Sequence, residues 1–174
     1  MIHVCSLARL EETVTRTRAQ HVVSLVNAGT PMRIPAGLAR DGHLFLAMND
    51  IVEVTPGMTP PGEAHVAAYL EYLESWARTG PLVVHCYAGI SRSTAAAYIA
   101  VAALEPDRDE AELATTLRSL APSATPNRRL VAIADEILGR GGRMTRAIEA
   151  IGRGADAYEG TPFELAFRTA AAAR

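Results

Sequence analysis

The sequence contains no lysine, and all 17 of its basic residues are arginines. Against them stand 19 acidic residues, so the net charge is -2 at pH 7. Without a basic excess the protein has little to neutralise a phosphate backbone, and we expect no nucleic acid among its partners. The exclusive use of arginine, together with frequent alanine, indicates a GC-rich bacterial genome.

The sequence is also poor in cysteine and has no long apolar run. Two cysteines cannot build a disulfide framework, so the fold must depend on its own core, as in a reducing compartment. The N-terminal residues lack the basic and apolar regions of a signal peptide. No apolar stretch approaches the ~18–20 residues of a membrane span. These absences predict a cytoplasmic protein, which we expect to be monomeric and to have no membrane partner.

The length of 174 residues suits one domain of ordinary size. Short β-branched runs alternate with helical patterns in the first half, and helical patterns fill the second half. Predicted strands cover residues 2–7, 21–26, 43–48 and 82–84. Predicted helices cover residues 9–20, 62–78, 93–104, 109–120, 127–138, 147–151 and 162–173. This order predicts an α/β fold with a mostly parallel sheet covered by helices on both faces. We expect one domain over residues 1–152 and a helical C-terminal tail over 153–174, which is either mobile, used for contacts or packed on the same domain.

One stretch concentrates residues that can carry chemistry. The last predicted strand runs into residues 85–94, which read His-Cys-Tyr-Ala-Gly-Ile-Ser-Arg-Ser-Thr, and then into a helix. Ligands in open α/β sheets bind at the carboxyl ends of strands, and the amides at a helix N-terminus attract anions. Five residues between a cysteine and an arginine allow a loop to curl around one tetrahedral anion with its amides pointing inward. Gly89 supplies the backbone freedom for that curl. The predicted phosphate-binding loop consists of Cys86, Tyr87, Ala88, Gly89, Ile90, Ser91 and Arg92.

Cys86 is the candidate nucleophile of this loop. The inward amides, the helix N-terminus and Arg92 all favour the thiolate, which is the reactive form of cysteine. A thiolate at the floor of a phosphate site is placed for in-line attack on phosphorus. Arg92 offers a planar fork that matches two phosphate oxygens. Ser93 can donate to the sulfur as it attacks and again as it leaves, and His85 is interpreted as orienting the loop rather than transferring protons.

These residues resemble the signature loop of the cysteine-based protein tyrosine phosphatases, His-Cys-x-x-Gly-x-x-Arg-Ser/Thr. The positions that match are His85, Cys86, Gly89, Arg92 and Ser93. The form Gly-Ile-Ser-Arg-Ser resembles the dual-specificity branch and small bacterial proteins close to it, and the order of elements extends the resemblance over about residues 1–140. The resemblance implies a sheet of four or five strands, a phosphocysteine intermediate that is then hydrolysed, and no metal or other cofactor. It also implies a phosphorylated protein or a small aryl phosphate as substrate.

The family also uses an aspartate on a movable loop as the proton donor for the leaving group. Asp50 fits this role because it follows the predicted strand 43–48, which would end at the same sheet edge as Cys86. Asp41 is the rival, but Asp41-Gly42 forms a ready β-turn at the far end of that strand. Glu53 is a further candidate, either for the acid or for holding the guanidinium of Arg92.

Two other functions compete with a phosphatase. A rhodanese-like sulfurtransferase also uses a cysteine loop, but it has no need of an upstream acid and fits the Arg-Ser continuation into a helix less well. A non-catalytic phosphate-binding module is disfavoured by the intact Cys86, Arg92 and Ser93. Within the phosphatase hypothesis, the loop has no basic residue besides Arg92, which predicts phosphotyrosine peptides rather than inositol phospholipids as substrates.

Three further positions have simpler interpretations. Cys5 is expected to be a small core residue, with reversible oxidation against Cys86 as the alternative. Asn127 is expected to cap the helix that follows it. Arg128 and Arg129 are expected on a solvated helix face, with steering of an anionic substrate as the alternative.

Overall fold

A computed structural model describes residues 1–168 as a five-stranded sheet with six α-helices. The strands are β1 (Ile2–Ser6), β2 (His21–Val26), β3 (His43–Ala47), β4 (Leu82–Cys86) and β5 (Phe163–Leu165). The helices are α1 (Leu10–Thr17), α2 (Glu63–Ser75), α3 (Arg92–Leu104), α4 (Glu110–Leu120), α5 (Arg128–Ile137) and α6 (Arg143–Ile151), and a short 3-10 turn covers Leu7–Arg9. The sheet order is β3-β2-β4-β1-β5. The pairs among β1 to β4 are parallel and β5 is antiparallel to β1, so the predicted α/β fold is confirmed.

Helices cover both faces of this sheet, as the apolar runs of its strands require. All five residues of β4 are buried, because its side chains point alternately into two separate clusters. Val84 and Cys86 belong to the larger cluster, which packs beneath α2 to α6. Cys5 and Val83 belong to the smaller cluster, which α1 covers. The alanine-rich helix α3 lies within the larger cluster, since small side chains allow it to approach the sheet closely.

The register of the parallel strands places the segments that follow them at one edge of the sheet. Leu25 of β2 pairs with Cys86 of β4, and Val26 pairs with Ala47 of β3. The residues that follow β2, β3 and β4 therefore meet at this carboxyl edge. The turn at Asp41 lies at the opposite edge, where the carbonyl of Gly42 accepts a hydrogen bond from the amide of Val22.

The predicted helix over residues 162–173 is wrong in its described part. Residues 163–165 form β5, and residues 169–173 lie outside the described residues. Phe163 and Leu165 are buried while Glu164 between them is exposed, which is the alternation of an edge strand rather than the period of a helix. Pairing with β1 provides this strand with its hydrogen bonds, and three residues are too few for such a pattern to stand out in the sequence.

Among residues 1–168, no helix is both long enough and apolar enough to cross a lipid bilayer.

Candidate active site

The loop between β4 and α3 is held against the end of β1 by close backbone packing. Gly89 has a φ of +73°, and a Cβ at this position would lie 2.8 Å from the amide nitrogen of Ser6. Any side chain would therefore be both strained and in collision with the backbone of β1. The amide of Gly89 points inward and donates to the Sγ of Cys86 at 3.3 Å. The curl predicted from the sequence is thus present, and glycine is required for two separate reasons.

The sulfur of Cys86 lies at the floor of this loop in contact with the first turn of α3. The side chain is almost fully buried, and its Sγ is 3.1 Å from the Oγ of Ser93. Together with the Gly89 amide, the hydroxyl of Ser93 provides a second donor to a thiolate at this position. The structure therefore brings Cys86 and Ser93 together as the sequence predicted.

Arg92 is buried, and neighbouring strand ends fix its guanidinium. Its Nη1 donates to the Oδ1 of Asn27 at 2.9 Å and to the carbonyl of Met48 at 2.7 Å. Asn27 follows β2 and Met48 follows β3, so the arginine spans the carboxyl edge of the sheet. Its buried Nε has no hydrogen-bond partner among the described residues, which leaves a donor for an anion in the loop. The expectation that Glu53 holds this guanidinium is wrong, because Asn27 and the Met48 carbonyl take that place.

Asp50 lies directly beside the loop, at the carboxyl edge where β3 ends. Its Oδ1 accepts hydrogen bonds from the Oγ of Ser91 at 2.7 Å and from the Nδ2 of Asn127 at 2.8 Å. Its Oδ2 lies 3.7 Å from the Nε of Arg92, and the side chain keeps about a third of its surface exposed. Oδ1 therefore has two donors, and Oδ2 is the oxygen that faces the arginine. Asp41 lies at the other end of the sheet, so Asp50 alone of these two aspartates is brought to the site.

His85 is buried and connects the loop to a hydrogen-bonded chain across three strands. Its Nδ1 is 3.4 Å from the carbonyl of Cys86 and its Nε2 is 2.6 Å from the Oγ of Ser24, which in turn is 2.8 Å from the Nε2 of His43. Since a carbonyl only accepts, the Nδ1 of His85 carries the proton and the hydroxyl of Ser24 donates to Nε2. Burial lowers the pKa of His85 to about 4, so the ring is neutral at pH 7. A neutral ring with a fixed tautomer suits the orienting role predicted for it.

Cys5 occupies the opposite face of the sheet from Cys86. It belongs to the cluster beneath α1, whereas Cys86 belongs to the cluster beneath α2 to α6. Burial raises the pKa of the Cys5 thiol to about 12, which keeps it protonated and unreactive. Because side chains on opposite faces of a sheet cannot reach one another, the geometry supports a core role for Cys5.

Sequence reasoning missed several contacts around the site. Asn27 was not singled out, although it follows a predicted strand and the strand-end rule could have found it. Asn127 caps α5 as predicted, with its Oδ1 accepting from the amide of Leu130, but its Nδ2 also donates to Asp50. Arg129 does not lie on a free solvated face, because it donates to the carbonyls of Pro61 and Val52. These contacts join residues far apart in sequence, so no local pattern reveals them.

No group of three or more His, Cys, Asp or Glu side chains within the described residues is arranged to hold a metal ion.

The family model for protein-tyrosine phosphatases matches residues 55–124 of this chain. The match contains the whole predicted phosphate-binding loop and excludes Asp50, whose placement rests on the geometry above. No curated protein matches the chain in sequence.

Solved structures share the fold of this chain at low sequence identity. Human DUSP28, a dual-specificity phosphatase, is 20% identical with a TM-score of 0.61, and the alignment covers 80% of this chain and 88% of that one. DUSP15 is 18% identical with a TM-score of 0.60 and coverage of 86% and 90%. PTPMT1, solved in complex with PI(5)P, is 15% identical with a TM-score of 0.62 and coverage of 87% and 94%. The chain is therefore similar to protein-tyrosine phosphatases over residues 55–124, and it shares the fold of dual-specificity phosphatases.

Proposed function

We propose that this protein hydrolyses phosphotyrosine-type phosphomonoesters through a phosphocysteine intermediate. The observation that carries the proposal is the convergence of five groups on one loop. The sulfur of Cys86 contacts Ser93 and the Gly89 amide. The guanidinium of Arg92 is fixed at the same sheet edge, and Asp50 lies beside it at the start of α3. A nucleophile, an anion clamp and an acid in one place are what phosphoryl transfer requires.

In the first step the thiolate of Cys86 attacks phosphorus and the bond from phosphorus to the leaving oxygen breaks. The loop amides and the Nε of Arg92 stabilise the charge on the three remaining phosphoryl oxygens. Asp50 in its protonated form transfers its proton to the leaving oxygen, so that an alcohol or phenol departs. General acid catalysis of this kind contributes roughly 10²–10⁴-fold.

In the second step a water molecule attacks the phosphocysteine and the phosphorus–sulfur bond breaks. Asp50, now ionised, accepts the proton of the water as general base. The electron pair returns to the sulfur, where the hydroxyl of Ser93 and the amide of Gly89 stabilise the thiolate. Inorganic phosphate leaves, and the protein is restored with Asp50 protonated.

The composition of the loop supports aryl phosphates over phosphoinositides as substrates. Positions 87, 88, 90 and 91 are Tyr, Ala, Ile and Ser, so Arg92 is the loop's single cation. A substrate with several phosphate groups would find no further positive charge there. PTPMT1 shares the fold and was solved with PI(5)P, so a phosphoinositide is the appropriate comparison substrate. We expect phosphotyrosine peptides to be hydrolysed faster than PI(5)P, and a preference for the lipid would overturn this assignment of substrate class.

The experiment that tests the proposal is turnover of para-nitrophenyl phosphate by the native protein and by Cys86→Ser. We expect activity only in the native protein, inhibition by vanadate, and no loss of activity in EDTA. Release of sulfite from thiosulfate and cyanide, without phosphate ester hydrolysis, would instead identify a sulfurtransferase. Binding of phosphate with neither activity would identify a non-catalytic module.

A further inference from the structure

A second cavity lies immediately beside the phosphate-binding loop, with a volume of about 420 Å³. We call it the flanking pocket, and its walls include Ser6, Leu7, Tyr87, Ala88, Tyr158 and Glu159. Tyr87 is the residue after Cys86, so the pocket begins where the phosphate site ends. A group bound there would belong to the part of the substrate adjacent to its phosphorylated residue.

The tyrosines of this chain fall into two groups, and one group lines the flanking pocket. Three of the five belong to the packed interior, and their hydroxyls contact the carbonyl of Ala96, the carbonyl of Glu110 and the ring of His21. The other two, Tyr87 and Tyr158, are 67% and 104% exposed. Both rings stand at the same cavity, where neither contributes to the core.

The wall that carries Tyr158 and Glu159 is fixed to the loop by its backbone. The amide of Gly160 donates to the carbonyl of Ala88 at 2.8 Å. A Cβ at Gly160 would lie only 2.5 Å from the carbonyl oxygen of Gly89, so the two backbones are in direct contact. The flanking pocket is therefore built by long-range packing and keeps its position relative to Cys86.

Glu159 is the charged residue that lines the flanking pocket. The carboxylate of Glu159 accepts a hydrogen bond from the Oγ of Ser6 and remains partly exposed. The Nε of Arg9 lies 3.7 Å from this carboxylate, but Arg9 pairs more closely with Glu12 at 3.0 Å. Aromatic faces next to a carboxylate form a recognised arrangement for binding a cation.

We propose that the flanking pocket binds an arginine or lysine side chain adjacent to the phosphotyrosine of a substrate peptide. The apolar stem of that side chain lies along the rings of Tyr87 and Tyr158, and its cationic head reaches the carboxylate of Glu159. This inference rests on the proposed phosphatase function and names the substrate sequence that the site selects.

The test compares two fluorescent phosphotyrosine peptides, one with arginine on both sides of the phosphotyrosine and one with glutamine at both positions. Their dissociation constants are measured by anisotropy on Cys86→Ser, which binds without turnover. We expect about tenfold tighter binding of the arginine peptide, from one cation–π contact and one partly exposed ion pair. Adding Glu159→Gln, which keeps an acceptor for Ser6, or Tyr158→Ala, at a fully exposed side chain, should each bring the ratio to about threefold, because one of the two contacts remains.

Glu11→Gln is the matched control because it removes the same charge from an exposed position on α1 and leaves both contacts of Arg9 in place. It should leave the ratio of the two dissociation constants unchanged. Equal affinities in Cys86→Ser, or the same loss of preference in Glu11→Gln, would overturn the inference. Turnover of para-nitrophenyl phosphate by the native protein separates the two proposals. Normal turnover with equal affinity for the two peptides would contradict only the proposed role of the flanking pocket. Absence of turnover would contradict the proposed phosphatase function.

Discussion

At the residue scale, the sulfur of Cys86 is surrounded by donors that act at different stages of the proposed reaction. The amide of Gly89 is rigid because its backbone packs on β1, while the hydroxyl of Ser93 can turn toward the sulfur. Arg92 is held by Asn27 and a strand-end carbonyl, so it does not need the sulfur for its own position. Cys86 and Arg92, the candidate nucleophile and anion clamp, can therefore be substituted separately.

Cys86→Ser should abolish turnover while oxyanion binding persists. The loop amides and Arg92 remain, but a serine hydroxyl is too weak an acid to ionise in this loop. Isothermal titration with vanadate or tungstate on the variant measures the binding, and para-nitrophenyl phosphate measures the turnover. Loss of oxyanion binding together with activity would show that Cys86 is needed for the loop itself.

Ser93→Ala should slow hydrolysis of the phosphocysteine more than its formation. A hydrogen bond to a charged group contributes ~1.5–3 kcal/mol, which corresponds to roughly 10–100-fold in rate for the step in which sulfur leaves. The intermediate should then accumulate, and rapid mixing with para-nitrophenyl phosphate should show a burst of nitrophenol. Slower steady-state turnover with neither a burst nor a trapped phosphoenzyme would mean that Ser93 has only a structural role at the start of α3.

At the element scale, the loop that follows β3 is anchored at several points along its length. Asn49 and Thr59 join the two ends of this loop by a pair of hydrogen bonds. The amide of Asn49 donates to the carbonyl of Thr59, and the Oδ1 of Asn49 accepts from the amide of Thr59. Arg129 donates to the carbonyls of Val52 and Pro61. Asn127, at the start of α5, holds Asp50 itself. The N-terminus of α5 thus positions the candidate acid, although the helix lies more than seventy residues further along the chain.

Asn127→Ser separates this positioning role from helix capping. Serine is also a good N-cap residue, so α5 keeps its capping hydrogen bond, but the donor to Asp50 is lost. We expect turnover of alkyl and other poor leaving-group esters to fall about tenfold, a fraction of the full contribution of an acid, with para-nitrophenyl phosphate less affected. Asp50→Asn should show the same leaving-group dependence more strongly and should flatten the basic limb of the pH–rate profile.

Arg128→Ala, at the exposed neighbour of Asn127, is the control for this pair of variants. Its kinetics should match those of the native protein for every leaving group. If Asn127→Ser slows all esters equally, the contact with Asp50 has no part in acid catalysis.

At the scale of the whole molecule, a row of hydrogen-bonded polar side chains within the sheet links the predicted phosphate-binding loop to β3. His85, Ser24 and His43 lie on β4, β2 and β3, so the chain crosses the middle of the sheet. Burial lowers the pKa of both histidines, with that of His85 reaching about 4. The unfolded chain therefore binds protons more readily than the folded protein as the pH falls below the ordinary histidine value of 6.5.

This linkage predicts that the protein loses stability between pH 7 and pH 5. The contribution of a neutral His85 is fully present above pH 6.5 and declines as the pH falls toward 4. Its loss by pH 5 amounts to about 2 kcal/mol, and His43 adds to it in the same direction. Urea unfolding at both pH values measures the difference, which His85→Gln should reduce. His65→Gln, at a histidine outside the sheet, should retain the full difference.

The candidate site was accessible to sequence reasoning because its residues are close together in the sequence. The candidate nucleophile, the glycine, the arginine and the serine lie within eight consecutive residues, 86–93, and the strand before them and the helix after them have clear periodicity. Asp50 was distinguished from Asp41 by a topological rule, since the carboxyl ends of parallel strands share one edge of a sheet.

The contacts that position this chemistry were decided only by the tertiary structure. Three of these contacts join residues that are far apart in the sequence. They are the hydrogen bond from Arg92 to Asn27, the hydrogen bond from Asn127 to Asp50, and the pairing of β5 with β1. The segment 163–165 shows the reason most clearly. The backbone hydrogen bonds of this segment could form within a helix or with a neighbouring strand. The free edge of β1 favoured the strand, and β1 is too far away in the sequence for a local pattern to indicate this pairing.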